Sequence, residues 1–275
     1  WLAIDKNCNL SCPSCRLTNH YSKAINKNTD HILTTLSNTY KDFDETVTIT
    51  GDGIGDLFTS EAWMKHFSIG FPDCYKFVIT TNGNLLTKRK KLIQNNLDKI
   101  TTVIVSLDAA TPETYALTRG GNFDLVIDGC KMIKDLGIQL QLAFVLQASN
   151  YKEIDAYIEI AESLDCHLSI QTLGRWHHMS NVWWEENKII DNPNIDYKLL
   201  GESLLKLKDH PSRGYFNGGC YEILKYYFKT SKNGHPLMFF YNNFDRMNNY
   251  MKSSEDDKEN RKKVMQNTKK LVEEL

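Results

Sequence analysis

Short apolar runs alternate with longer segments of helical periodicity through the first two-thirds of the chain. We predict strands at Trp1–Ile4, Thr46–Thr50, Lys76–Thr80, Thr102–Leu107, Gln139–Leu146 and His167–Thr172. Helices are predicted between them, at Asp30–Tyr40, Ser60–Phe67, Leu86–Asn95, Phe123–Leu136 and Tyr151–Leu164. This alternation predicts an α/β fold with parallel strands, either an open sheet or a partial barrel. In such folds ligands bind at the carboxyl ends of the strands.

The pattern loosens after about residue 180. It predicts a turn at Asp191–Asn194, a helix at Ile195–Leu207 and a loop at Arg213–Cys220. An Asn-Gly pair within Ser231–Gly234 predicts a hairpin whose strands are Ile223–Thr230 and Leu237–Tyr241. The Lys/Glu-rich segment 252–275 is predicted to be a mostly solvated helix, with a partner-binding helix as the alternative. We therefore expect three parts: a core at 1–178, a smaller region with the hairpin at 179–251, and a charged helix at 252–275.

Composition narrows the class of protein. Of the 275 residues, 41% are hydrophobic and 24% are charged, as is usual in folded globular proteins. The formal net charge of -1 provides no general basic field, so we expect no general nucleic-acid binding. No apolar run reaches the ~20 residues needed to span a bilayer, and no signal peptide opens the sequence, so we expect a cytoplasmic protein without membrane association. Because Trp1 already lies in a predicted strand, we expect the sequence to be a portion of a longer polypeptide.

Three of the seven cysteines lie close together in a polar loop, at Cys8, Cys12 and Cys15. Thiolates at this spacing, directly after a first strand, can bind three irons of one cubane cluster and leave the fourth iron for a small molecule. A structural zinc site is an alternative, although such sites normally need four ligands. A chance grouping of structural thiols is another, but the surrounding polar residues do not form a core. A simple electron-transfer ferredoxin is disfavoured by the chain's size and by the missing fourth ligand.

The loop Cys8-Asn-Leu-Ser-Cys12-Pro-Ser-Cys15 resembles the CxxxCxxC motif of the radical S-adenosylmethionine (radical SAM) superfamily. After the second predicted strand, Gly53, Gly55 and Asp56 resemble the family's glycine-rich stretch. That stretch ends in an acid, more often Glu than Asp, which receives the methionine amino group of the cofactor. The chemistry is consistent, because glycines let backbone carbonyls approach a cationic amine and a carboxylate complements its charge.

Two later stretches extend the resemblance to about residue 178. Val78–Thr87 resembles the family's third strand and the turn after it, and the segment 105–123 is similar to the subgroup with a SPASM or twitch extension. The resemblance implies that Ser106 and Arg119 hold the cofactor's carboxylate or ribose; Arg119 suits a carboxylate as a planar fork of donors. The full set of residues expected to bind S-adenosylmethionine is Gly53, Gly55, Asp56, Thr81, Asn82, Ser106, Asp108, Arg119, Asn150 and Leu173, the last two toward ribose and adenine.

The C-terminal part departs from that subgroup, whose members carry further cysteines for auxiliary clusters. After residue 178 only Cys220 remains, and Phe239 stands where a second cysteine is expected. We therefore expect a single cluster and a twitch-like remnant, unless more cysteines lie beyond Leu275. Cys220 is a candidate hydrogen-atom donor to a substrate radical, or otherwise a structural thiol.

The resemblance implies a partial (β/α)6 TIM-like barrel with a small C-terminal α+β extension. It implies an enzyme in which a reduced [4Fe-4S] cluster cleaves S-adenosylmethionine to a 5'-deoxyadenosyl radical, which abstracts hydrogen from an unactivated carbon. The implied substrate is a peptide or a small molecule, and the implied electron source is an external reductant such as flavodoxin or ferredoxin. The alternative function is a catalytically silent binding or scaffold module with the same fold.

Overall fold

The computed structural model describes residues 7–15, 29–51, 55–175 and 179–230, with the backbone only for 225–230. Residues 1–224 form one compact unit and residues 225–275 a second. The described part of the first unit is built on a parallel sheet in which each strand pairs with the next along the chain. Its strands are β1 (Val47–Gly51), β2 (Tyr75–Thr81), β3 (Ile100–Ser106), β4 (Gln139–Leu146), β5 (His167–Thr172) and β6 (Arg213–Phe216). The sheet is open, and the predicted α/β fold of the partial TIM-like type is confirmed.

Helices connect the strands, as is usual for the crossovers between parallel strands. Their bounds are α1 (Thr29–Thr39), α2 (Glu61–Ile69), α3 (Lys90–Gln94), α4 (Pro112–Thr118), α5 (Phe123–Asp135), α6 (Ile154–Ser163), α7 (Asn181–Asn187), α8 (Tyr197–Asp209) and α9 (Gly218–Thr230). Several begin at polar caps that accept a backbone N–H bond; Ser60, Thr111 and Asn122 do this for α2, α4 and α5. The helices predicted from Leu86 and Tyr151 each open with a turn of 3-10 helix instead.

The two faces of the sheet differ in burial. In β2, Tyr75, Phe77 and Ile79 are fully buried on one face, where Phe77 packs against Trp63 and Phe67 of α2. The alternate residues of this strand are only half-buried and face the other way. The hydrophobic core therefore lies between the sheet and its helices, while the opposite face of the sheet stays open to a ligand.

The C-terminal part corrects the sequence-based prediction. The segment 213–220, predicted as a loop, contains β6 and the first turn of α9. The segment Ile223–Thr230, predicted as a hairpin strand, continues α9. The apolar residues there suit a helix as well as a strand, and a short run cannot distinguish the two by periodicity alone. The predicted boundary at 178 falls inside the first unit. The strand Trp1–Ile4, the turn Ser231–Gly234, the strand Leu237–Tyr241 and the helix at 252–275 lie outside the described residues.

Within the described parts of the chain, no helix combines the length and the hydropathy that crossing a bilayer demands.

Candidate functional site

A cavity of about 440 Å³ opens at the carboxyl ends of β2 to β5, where the fold predicts ligands to bind. It is lined by Cys8, Cys12, Ser14, Cys15, Gly55, Asp56, Thr80, Thr81, Asn82, Ser106, Arg119, Val145, Gln171, Thr172, Leu173 and Gly174. All three cysteines of the N-terminal loop thus face the same space as the glycine and acid after β1 and the arginine after α4. Residues up to 166 positions apart in sequence are brought together at one edge of the sheet.

The cysteine loop is tied to the segment after β1. The carbonyl of Asn7 accepts the N–H of Asp56 at 2.7 Å and the hydroxyl of Thr59 at 2.7 Å. Within the loop, the N–H of Cys15 donates to the carbonyl of Cys12 at 3.0 Å, which closes a turn. Cys12 is buried, whereas Cys8 is exposed at the rim. The loop therefore presents one thiol to the interior of the cavity and one toward its mouth.

The thiols lie close enough to influence one another. Burial raises the pKa of Cys12 to about 11; Arg119 opposes this shift, and the thiols of Cys15 and Cys8 add to it. Although Cys8 is exposed as a residue, its thiol is partly removed from water by the surrounding atoms, and this desolvation raises its pKa as well. Thiolate is the form that binds metal, and coordination to a cation offsets this cost of ionisation. The donors present suit an iron–sulfur cluster, because thiolates are its ordinary ligands.

The three cysteines are not gathered as they would be around one ion. Among the residues that the structure describes, no three His, Cys, Asp or Glu side chains are close enough to share a single metal. A cubane makes a different demand, since each thiolate binds a separate iron.

Asp56 connects the glycine-rich turn to the end of β2. One carboxylate oxygen accepts the N–H of Phe58 at 3.0 Å, and the other accepts the Thr81 hydroxyl at 2.8 Å and the Asn82 N–H at 2.8 Å. Burial raises the pKa of Asp56, although these hydrogen bonds oppose the shift. A carboxylate has about four lone-pair sites, so a ligand can still bind after these three contacts. Beside it, Gly55 borders the cavity with a φ of 74°, a conformation that favours glycine.

Asn82 links the end of β2 to the cysteine loop. Its side-chain amide donates to the Oδ1 of Asn9 at 2.9 Å and lies 3.7 Å from the Sγ of Cys8. Its own Oδ1 accepts the N–H of Asn84 at 3.0 Å, and its carbonyl accepts the Tyr115 hydroxyl at 3.2 Å. Asn82 as a residue is 4% exposed, so these bonds fix the orientation of its side chain.

Arg119 forms the opposite part of the wall. It ends α4, and Gly120 follows with a φ of 72°, the usual conformation just past a helix end. Its Nη1 donates to the Oδ2 of Asp108 at 2.9 Å, and its carbonyl accepts the Cys12 thiol at 3.4 Å. Burial alone would lower the pKa of Arg119, but Asp108, with Cys12 and Tyr115, raises it on balance, so the guanidinium stays charged.

Three predicted site residues do not line the cavity. Asp108 lies behind Arg119, and Asn150 is fully buried, where its amide donates to the carbonyls of Asp108 and Val145. Cys220 is fully buried at the start of α9, and burial raises its pKa to about 12. This position favours a structural thiol. Gly53 lies outside the described residues, and the other predicted ligands are all at the wall.

Several wall residues are not among those predicted from the sequence: Ser14, Thr80, Val145, Gln171, Thr172 and Gly174. The period of two along each strand was a signal for some of them. Thr80 and Val145 lie on the half-buried face of β2 and β4, each one residue before the strand's carboxyl end. Gln171, an exposed residue one position before the end of β5, is the direct partner of Val145 in the sheet register. Such positions face a ligand in a parallel sheet of this type.

An open parallel α/β barrel with a cysteine loop, an acid and an arginine around one cavity defines an enzyme site for a metal cluster and a small charged ligand. Residues 4–161 match the family model described as the Radical SAM superfamily, which is more than half of the chain. The chain belongs to that superfamily, whose members use a [4Fe-4S] cluster and S-adenosylmethionine. The SPASM or twitch subgroup stays a prediction.

Curated relatives match more weakly. The chain is 25% identical over 198 residues to the GTP 3',8-cyclase of Listeria monocytogenes serotype 4b (strain CLIP80459). The same enzyme from Listeria monocytogenes serovar 1/2a (strain ATCC BAA-679 / EGD-e) matches to the same extent. In both cases the match covers 69% of this chain and 58% of the relative, so the chain spans little more than half of their length.

Solved structures resemble the chain in fold. Streptococcus suis SuiB bound to S-adenosylmethionine superposes with a TM-score of 0.55 at 17% identity, covering 79% of this chain and 50% of SuiB. SuiB bound to the precursor peptide SuiA superposes with a TM-score of 0.55 at 16% identity, and the match covers 80% of this chain and 49% of SuiB. The anSMEcpe structure with AdoMet and the Cp18Cys peptide superposes with a TM-score of 0.50 at 16% identity, and the match covers 74% of this chain and 57% of anSMEcpe.

Proposed function

We propose that the chain binds one [4Fe-4S] cluster through Cys8, Cys12 and Cys15, and S-adenosylmethionine beside it. The observation that carries this proposal is that all three cysteines line one cavity together with Asp56 and Arg119. When bound, this pair of cofactors supplies a 5'-deoxyadenosyl radical, which abstracts hydrogen from an unactivated carbon of the substrate.

The charges of the cavity wall complement the methionine part of the cofactor. Within the described residues, the donors that bond to Asp56 are all neutral, so its charge suits the cofactor's ammonium group. Arg119 lies across the cavity and suits the carboxylate. Ser106, Thr81 and Asn82 add neutral polar groups, while Val145 and Leu173 provide apolar surface that limits water.

The exposure of Cys8 supports the need for an external reductant. Cys8 is the most exposed of the three cysteines, so a reductant that approaches from solvent would meet this ligand first. A small electron-transfer protein such as flavodoxin or ferredoxin fits this role.

The twitch-like interpretation of 179–251 and the charged helix at 252–275 remain part of the proposal.

We propose a peptide as the substrate. Two of the similar folds are solved with peptides bound. The wall also offers hydroxyl and amide groups, at Ser14, Thr80, Gln171 and Thr172, which suit a neutral polar backbone. A purine nucleotide is the second candidate, favoured by the sequence match to GTP 3',8-cyclase. Among the described wall residues Arg119 is the only cation, and Asp108 pairs with it, which is little positive charge for a triphosphate.

The first experiment is anaerobic cluster reconstitution, reduction and incubation with S-adenosylmethionine, with 5'-deoxyadenosine as the measured product. We expect product from the unchanged protein and none from Cys12→Ala. Cys74→Ser is the matched control, because this thiol donates to the carbonyl of Tyr40 and lies away from the cavity. Failure of the unchanged protein to hold a cluster, or to bind S-adenosylmethionine once it holds one, would contradict the enzyme proposal and favour a scaffold module.

A further inference from the structure

Asp108 is a tightly held acid behind the cavity wall. Its side chain is fully buried, and its backbone adopts a φ of 54°, which is uncommon outside glycine. Oδ1 accepts the N–H of Val145 at 2.6 Å, and its carbonyl accepts the side-chain amide of Asn150 at 3.0 Å. The ends of β3 and β4 therefore hold this carboxylate in one place.

The remaining oxygen of Asp108 bonds to one particular nitrogen of Arg119. Oδ2 accepts from Nη1, at 2.9 Å. The Nε of Arg119 is buried and has no hydrogen-bond partner among the described residues. A guanidinium binds a carboxylate with two parallel N–H groups, and Nε and Nη2 form one such edge. Asp108 accepts its hydrogen bond from Nη1, so the Nε/Nη2 edge is not used by this ion pair.

A buried N–H without a partner costs stability, and such groups are uncommon in folded proteins. Here the unpaired Nε belongs to a side chain that lines the cavity. The simplest account is that a ligand supplies the acceptor. In the proposed function, the only carboxylate of S-adenosylmethionine has the geometry for this edge.

We propose that Asp108 is a positioning residue, not a cofactor ligand: it holds Arg119 so that its Nε/Nη2 edge faces the carboxylate of S-adenosylmethionine. This inference rests on the proposed function. The sequence resemblance makes Asp108 a cofactor ligand, whereas here it acts through Arg119. The property to measure is therefore how strongly binding depends on the carboxylate of the ligand.

The test measures dissociation constants of the cluster-loaded protein for S-adenosylmethionine and for its decarboxylated analogue, which keeps the sulfonium and the amine. For Asp108→Asn we expect binding of S-adenosylmethionine to weaken by about tenfold, because Arg119 is no longer held, and binding of the analogue to change by less than about twofold. Asn tolerates the positive φ of this position, so the backbone is retained. Equal weakening of both ligands, or none, would overturn the proposal.

Two further variants keep the test decisive. Glu153→Gln is the matched control: this acid also accepts hydrogen bonds in the loop after β3, from Ala110 and Thr111, but it does not line the cavity, so both constants should be unchanged. If Asp108→Asn does not fold, Arg119→Lys replaces it, because lysine keeps a positive charge near Asp108 but has no two-donor edge. Full retention of the carboxylate preference in Arg119→Lys would overturn the proposal.

The outcomes for this inference and for the proposed function are distinct. An unchanged protein that does not bind S-adenosylmethionine contradicts the proposed function. An unchanged protein that prefers the carboxylate-bearing ligand, and keeps that preference in Asp108→Asn, contradicts the role of Asp108 alone.

Discussion

Two walls of the cavity are built around a buried aspartate that follows a strand, and the two aspartates are used differently. On one wall, after β1, Asp56 bonds to the neutral donors of Phe58, Thr81 and Asn82. On the other, after β3, Asp108 bonds to one backbone N–H and to the guanidinium of Arg119. In the part of the chain that the structure describes, no cation is hydrogen-bonded to the first carboxylate, while the second is paired with Arg119.

This difference gives the cavity two ends of opposite character. The end at Asp56 favours a cation, because a bound ammonium would compensate for the burial that raises the pKa of this carboxyl group. The end at Arg119 favours an anion, because the Nε of the guanidinium has no hydrogen-bond partner in the described ranges of the chain. A zwitterion such as the methionine part of the proposed cofactor complements both ends.

The largest effect is expected from removing the Asp56 side chain. Asp56→Ala leaves three donors in a buried position without acceptors, each at a cost of ~1–3 kcal/mol, partly relieved by water. We expect the free energy of unfolding of the cluster-free protein to fall by about 3 kcal/mol. Urea denaturation followed by circular dichroism measures this change.

Asp56→Asn is the control for that experiment, because it keeps one oxygen acceptor at nearly the same volume. Its loss of stability should be clearly smaller than that of Asp56→Ala. If neither substitution changed the free energy of unfolding by more than about 0.5 kcal/mol, Asp56 would not tie the turn after β1 to the end of β2.

Ligand binding by the same Asp56→Asn variant also distinguishes the two walls. The expected effect is smaller than the loss of stability in Asp56→Ala. Both S-adenosylmethionine and its decarboxylated analogue keep the amino group, so loss of the negative charge should weaken both by the same factor, about tenfold. Equilibrium dialysis of the cluster-loaded protein gives both constants. Selective loss of the carboxylate-bearing ligand in Asp56→Asn would remove the contrast with Asp108→Asn.

The sequence predicted the α/β class and the edge at which the cavity opens, because apolar periodicity and polar strand ends are local signals. The bounds of β4 and β5 were predicted without error. The sequence did not predict β6 or α9, because Arg213–Phe216 lacks an apolar alternation and becomes a strand by pairing with β5. Here tertiary contacts, not propensity, decide the structure.

Within the site, the resemblance identified residue types but not their connections. It placed Asp108 and Arg119 in one motif, yet their ion pair depends on how α4 returns to the end of β3. It likewise placed Asn150 with the cofactor, whereas in the structure the Asn150 amide donates hydrogen bonds to two backbone carbonyls. Hydrogen-bond partners are set by three-dimensional neighbours, so a one-dimensional motif cannot separate a ligand-binding residue from the one that positions it.

The smallest effect is expected at the junction of the Asp56 wall with the cysteine loop. The amide of Asn82 lies 3.7 Å from the Sγ of Cys8, and hydrogen bonds to cluster sulfurs stabilise the reduced, more negative state. Asn82→Ser shortens the side chain and removes this donor while its N–H can still bond to Asp56. We expect a more negative reduction potential, measured by electron paramagnetic resonance during a redox titration.

Asn122→Ser is the matched control for this last prediction. Asn122 caps α5 through its side chain, a role that serine also performs, and it does not line the cavity. Its potential should equal that of the unchanged protein. If Asn82→Ser also left the potential unchanged while the cluster content stayed the same, the contact with Cys8 would only position the loop. The Asp56 wall would then act on the cofactor through its charge alone, and the cluster's potential would depend on other groups near the thiolates.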